Sequence, residues 1–192
     1  MITLVTASTE QPVSLADAKA HVNQTDTMDD SYIRGLIGAA SAHSEMVTRR
    51  KWIDAEYDWN LPAFPAFPIL LNEWPLAPLS SVTSIKYVDD AGDTQTWASS
   101  NYIVQTDLSP GVIELAFNVT VPTTRNQPNA VTVRYVAGYG GVEDVPPDAR
   151  HAMLMLIAHW YENREMVVVG TSVSELPTAA ESLMWGLKVG TV

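Results

Sequence analysis

The sequence predicts an α+β domain, a helical bundle built from the two ends of the chain with an antiparallel β module inserted between them. Three observations predict it. Residues 146–165, PPDARHAMLMLIAHWYENRE, carry one long amphipathic pattern, and residues 14–50 carry two more. Between them, from Trp52 to Val145, apolar positions switch to a period of two and are punctuated by turn residues. The expected organisation is a single domain over residues 1–192, with 1–51 and 146–192 in the bundle and 52–145 in the β module.

A short strand over Ile2–Val5 opens the chain. Ser14 is a good N-cap, Asp17 follows three residues on, and Leu15, Ala18 and Val22 share a helical face. A longer helix spans Asp29 to Arg50, its Ile33, Leu36, Ile37, Ala40, Ser44 and Val47 falling on one side. Gly35, Gly38, Ala39, Ala40 and Ala42 keep that helix small, and each glycine weakens it by ~1 kcal/mol relative to alanine, so it needs neighbours.

From Trp52, alternation predicts a half-buried strand, with Ile53, Ala55, Tyr57 and Trp59 opposite Asp54, Glu56 and Asp58. Prolines at 62, 65, 68, 75 and 78 then exclude helix and central strand, so Phe64–Pro78 reads as an extended segment along a sheet edge. Short strands follow at Val82–Val88, Thr94–Trp97, Tyr102–Gln105, Val112–Phe117 and Ala130–Val136, with turns at Asp89–Asp93 and Asp107–Gly111. The loop AGYGGVEDV, Ala137–Val145, lacks GxGxxG spacing and a P-loop lysine, and reads as a flexible linker.

Pro146, Pro147 and Asp148 suit the first turn of the next helix, whose missing hydrogen-bond partners and positive dipole end favour proline and a carboxylate. Its face, Met153, Leu156, Ile157, Trp160 and Tyr161, is wide enough to contact more than one neighbour. Residues 166–175 could be a loop or a hairpin. Thr178 and Glu181 then form a capping box for a last helix through Leu187.

Composition limits the function. A 46% apolar share with six tryptophans is ample for a packed core, and no apolar run reaches the ~20 residues that span a bilayer. The chain has no cysteine, which excludes disulfides and thiolate metal sites and fits assembly in a reducing cytoplasm. MITLVTASTEQPVSL shows no basic residue ahead of a hydrophobic block, which argues against a secretory signal. The net charge is −11, with eleven basic against twenty-two acidic residues. Gripping duplex phosphates needs clustered Lys and Arg, and the one tight run, Arg49–Arg50–Lys51, sits where a helix ends. Sequence-specific DNA binding is therefore not expected, although an acidic wall lets a duplex slide past without sticking.

Catalytic signals are thin. His151 and His159 lie two turns apart on one helix, and His159 and Glu162 lie one turn apart without an HExxH motif. Those two with a partner carboxylate are the sole basis for an alternative reading as a metal-dependent hydrolase. No GxSxG elbow occurs, and the DDAGD stretch reads as a hairpin turn without the later Glu of a calcium loop. No catalytic residue, metal site or cofactor is expected.

One resemblance covers nearly the whole chain. The succession VSLADAKAHV (13–22), DDSYIRGLIGAASAHSEMVTRR (29–50), PLAPLSSVTSIKYVDDAGD (75–93), VTVRYVAGY (131–139), VPPDARHAMLMLIAHWYENRE (145–165) and ELPTAAESLMWGLKV (175–189) resembles the head–tail connector, or adaptor, proteins of tailed phages and gene transfer agents. It departs from them in the last helix, where Trp185, Gly186 and Lys188 stand at an expected basic closure. The resemblance implies a non-enzymatic virion protein, assembled in the bacterial cytoplasm. It would form a ring of copies, often a dodecamer, in the particle neck beneath the portal protein. That ring extends the DNA channel toward the stopper or tail-completion protein, with DNA passing through unbound and no membrane involved. A stopper or tail-completion role in the same particle is the neighbouring alternative. The resemblance further implies a portal-binding tail, here Trp185, Leu187, Lys188, Val189 and Val192. Candidate subunit contacts are Ile33, Leu36, Ile37, Met153 and Trp160 on the helices, with Phe64 and Phe67 on the proline-rich segment.

Overall fold

The computed structural model describes residues 1–71, 78–164 and 178–189. In chain order the elements are β1 (Ile2–Thr6), α1 (Leu15–His21), α2 (Asp30–Thr48), β2 (Ala55–Leu61), β3 (Ile69–Leu70), β4 (Leu79–Val88), β5 (Thr94–Trp97), β6 (Tyr102–Gln105), β7 (Val112–Leu115), β8 (Val131–Ala137), α3 (Pro147–Glu162) and α4 (Thr178–Leu187). The α+β architecture is the one expected. The region 166–175 and Val192 lie outside the described residues.

The helices gather around α3, which is in contact with α1, α2 and α4. Ser14 caps α1, its Oγ accepting from Asp17 N at 3.0 Å. Ile33, Ile37 and Ala40 of α2, Ala149, Ala152, Met153, Leu156 and Ile157 of α3, and Ala180 and Met184 of α4 are all buried in one cluster. Helix α4 begins at Thr178 itself, so the threonine read as a cap stands at its first residue.

The β module contains two sheets. One has five strands in the order β1-β2-β8-β4-β5 and the other three in the order β3-β7-β6, with every pairing antiparallel. Central strand β8 alternates strictly, with Val131, Val133, Tyr135 and Ala137 inward and Thr132, Arg134 and Val136 outward. The inward residues of both sheets share a second apolar cluster with Tyr57, Trp59, Ile85, Trp97 and Ile113. In the β4–β5 turn, Asp89 Oδ1 accepts from Gly92 N at 3.0 Å and Asp93 N at 2.9 Å, a side chain standing in for backbone. The proline-rich segment does contribute an edge, since β3 pairs with the outer side of β7.

Four expectations need correcting. The N-terminal segment is not wholly part of the bundle, because β1 forms the edge of the five-stranded sheet against β2. The strand read from Trp52 starts at Ala55, and Trp52 and Ile53 are buried in the helical cluster instead. The face that a half-buried strand would leave open, Asp54, Glu56 and Asp58, is covered by partners: Ser80 Oγ donates to Asp54 at 3.2 Å and Thr83 Oγ1 to Glu56 at 3.0 Å. Arg134 clasps Asp58 through two bonds of 2.7 Å.

Lastly, Ala137–Val145 is not a loose linker. Tyr139 N donates to Trp52 O at 3.1 Å, Asp54 N to Gly140 O at 3.0 Å, and Gly141 N to the Asp144 carboxylate at 2.9 Å. Gly138 has φ +149°, and a Cβ there would meet the Asp54 backbone at 2.5 Å, so glycine is what lets the two strands of chain cross.

Trp52 is the keystone of that crossing. It is fully buried, its ring stacks on Tyr139 at 5.8 Å, and its Nε1 donates to Ser44 Oγ at 2.8 Å. Its backbone N donates to Glu45 Oε1, whose other oxygen holds Lys51 Nζ at 2.9 Å. The buried carboxylate of Glu45 thus has both oxygens engaged, as a charge away from water requires.

Candidate functional site

The residues expected at contact surfaces divide sharply by burial. Ile33 and Met153 are fully buried and Ile37 nearly so, all inside the bundle cluster. Their apolar surface is already consumed by the chain's own core, which removes them as contact candidates. Leu36 and Trp160 are half-buried at the edge of that cluster. Trp160 meets His43 edge-on at 6.0 Å, and its carbonyl accepts from Tyr32 Oη at 3.2 Å. Phe64 and Phe67 are half-buried against Trp97, at 5.1 and 5.9 Å between ring centres, so they also help close the β core.

The tail is folded back onto the body. Val189 is buried, and its N donates to Thr48 O at 3.0 Å. Arg50 Nε donates to Leu187 O at 2.6 Å, placing a cation on an orphan carbonyl at the end of α4. The basic run read as closing its own helix is therefore shared out: Arg50 closes α4, and Lys51 returns to Glu45 on α2. Arg49 holds the left-handed turn that ends α2. Leu187 is half-buried, whereas Trp185 is 72% exposed and Lys188 is exposed with its Nζ 4.8 Å over the Trp185 ring. Val192 lies outside the described residues.

Sequence reading passed over a polar cluster at the far end of α3. Asp29 does not cap α2. Its Oδ2 instead accepts from Tyr161 Oη at 2.7 Å and Arg164 Nη2 at 2.8 Å. Gln24 Nε2 donates to Tyr161 Oη at 3.1 Å, and the Arg164 guanidinium lies 4.6 Å over the Tyr32 ring and 5.0 Å over that of Tyr161. These donors, Tyr161 first and Arg164 second, hold the Asp29 carboxyl below its ordinary range, and Asp29 in turn raises the Tyr161 phenol. The signal was in the sequence, but tyrosine and arginine at one helix end could not be connected to an acid 132 and 135 positions away.

His151 meets His21 edge-on at 6.2 Å, between α3 and α1. Among the described residues no group of three His, Asp or Glu is placed to hold a metal ion. No helix among them is long and apolar enough to cross a membrane.

Among the described residues the apolar side chains form two cores, one in the bundle and one in the β module, and Phe117 and Trp185 stand exposed. The family model for phage gp6-like head–tail connector proteins matches residues 86–187, more than half of the sequence. The chain belongs to that connector family. The same fold occurs in a chain of the virion of a native gene transfer agent particle, with a TM-score of 0.81 at 22% identity. It recurs in the neck of an empty gene transfer agent particle computed with C6 symmetry, at 0.79 and 22%, and in the neck of a native particle computed with C12 symmetry, at 0.74 and 24%. In all three the match covers 100% of this chain and 97% of the other. No curated protein matches it.

Proposed function

We propose that this chain is a structural subunit of the neck of a phage-like particle. Copies would form a ring, with twelve as the expected number, docked beneath the portal protein and joining it to the stopper or tail-completion protein. Membership of the connector family carries the reading. The fold likeness along the full chain to proteins from gene transfer agent virions and necks supports it. The ring would extend the DNA channel without gripping DNA. Acids outnumber basic residues two to one, and within the tight basic run Arg50 and Lys51 are already bonded to Leu187 O and Glu45. Its work is mechanical and it has no reaction to catalyse. In the portal contact Trp185 and Lys188 are the tail residues offered, while Val189 serves as an internal anchor. Particles produced without this gene should be DNA-filled heads lacking tails. Normal tailed particles from such a deletion would overturn the proposal.

A further inference from the structure

The end of α4 is fastened to the bundle from two sides. Arg50 Nε donates to Leu187 O at 2.6 Å, and the N–H of Val189, a residue only 4% exposed, donates to Thr48 O at 3.0 Å. Both fasteners come from the turn that ends α2, and they grip the residues on either side of Lys188. Lys188 N in turn donates to Trp185 O at 3.2 Å, and its Nζ lies over the Trp185 ring. Trp185 and Lys188 are themselves exposed, so their own packing does little to fix where they stand. A helix end frays unless its orphan carbonyls find partners, and Leu187 O has found one in Arg50.

Arg50 is well placed to hold it. The side chain is half-buried, its guanidinium lies 5.8 Å from the centre of the Tyr139 ring, and Tyr139 stacks on the fully buried Trp52. A planar guanidinium braced in this way has little freedom left to lose when it makes a hydrogen bond. Through this one side chain the end of α4 is tied to the crossing where the two cores meet.

We propose that Arg50 is a positioning residue for the tail contact: it acts through α4 to hold Trp185 and Lys188 where they meet the portal protein. The inference rests on the portal reading above and deepens it. A partner that had to order a loose helix end would lose affinity to that ordering, whereas a tail fixed beforehand avoids the loss. The opposite device, a tail that must let go before it binds, would make Arg50 an obstacle to the contact.

A double-mutant cycle separates these cases. Binding of the full chain to purified portal protein is measured by surface plasmon resonance for Arg50→Ala, Trp185→Ala and the two combined. Urea denaturation checks that each variant is folded under the assay conditions. Trp185→Ala should weaken binding roughly tenfold or more, as loss of an exposed anchor does. Arg50→Ala should weaken it about three- to tenfold, the cost of ordering a freed side chain. The combined variant should bind little worse than Trp185→Ala alone, because an unpositioned tail has no tryptophan left to place. Losses that multiply independently, or tighter binding by Arg50→Ala, would overturn the role given to Arg50 alone. Val189→Ala trims the other fastener and keeps the test open if Arg50→Ala does not fold. Its loss should likewise vanish once Trp185 is removed, and a loss that persists there would overturn the proposal. No binding by the native chain, or unchanged binding by Trp185→Ala, refutes the portal contact itself.

Discussion

Truncating Trp52 tests whether the junction between the two cores holds them together. The side chain is fully buried, stacks on Tyr139, and donates to Ser44 Oγ at 2.8 Å. Removing a buried tryptophan to alanine costs about 3–5 kcal/mol in transfer and cavity terms. Ser44 keeps its own donation to Ser41 O at 2.9 Å, so the lost indole N–H leaves one acceptor unpaired. That adds about 1 kcal/mol. The expected total for Trp52→Ala, about 4–6 kcal/mol, is a large part of the ~5–15 kcal/mol that stabilises an ordinary domain. Trp52→Phe keeps an aromatic ring against Tyr139 and loses mainly the hydrogen bond and some volume, so it should cost about 1–2 kcal/mol. Urea denaturation followed by far-ultraviolet circular dichroism measures both. A Trp52→Ala cost below about 1 kcal/mol, or equal costs for the two variants, would refute the keystone role.

Three further outcomes follow from the same geometry. Arg50→Ala should release the end of α4, speeding amide hydrogen exchange at Val189 while α3 stays protected, at a stability cost of roughly 1–2 kcal/mol; unchanged exchange at Val189 would mean that Arg50 does not hold the tail. The hydrogen bonds from Tyr161 and Arg164 hold the Asp29 carboxyl below its ordinary 3.8, so the stabilisation it brings is complete above that value and lost as pH falls through the lower folded value. Asp29→Asn should accordingly flatten the fall of the denaturation midpoint in acid, and an unaltered acid slope would contradict the assignment. Burial first, and the Glu45 charge second, push the Tyr57 phenol up to about 12 from 10.0. That raised value makes its contribution full below the ordinary value and lost as pH climbs from 10.0 toward about 12. Tyr57→Phe should reduce the alkaline loss without abolishing it, since burial also raises Tyr139.

Much of the architecture was legible because local chemistry and fold agree. The apolar periodicity of α2 and α3, the Ser14 cap and the Asp89–Asp93 turn each place an element within a few residues. Strands β5 and β6 are bounded by their turns and fall on the expected residues. The failures share a cause. Alternation continues unbroken from Trp52 into β2, so nothing local shows that Trp52 and Ile53 belong to one core and Ala55 to another. The short strand β3 lies among prolines and exists only because β7 offers it a partner. Glycines 138, 140 and 141 look like slack in one dimension, yet they permit a close chain crossing in three.

The assembly surfaces were less legible still. Amphipathic spacing shows that Ile33, Ile37 and Met153 face something apolar, but cannot say whether it is the same chain or another. Arg50 looks like an ordinary helix-end cation until the end of α4 comes to lie beside it. Phe117 reads as the last residue of a strand and stands instead on a turn beyond β7, facing solvent.

A connector subunit belongs in the neck of its particle. Cryo-electron microscopy of the neck of particles from a strain carrying the gene tests it most directly. The expected result is a ring of this fold between portal and tail, enclosing the channel. A neck resolved well enough to trace every chain, with this one absent, would contradict it.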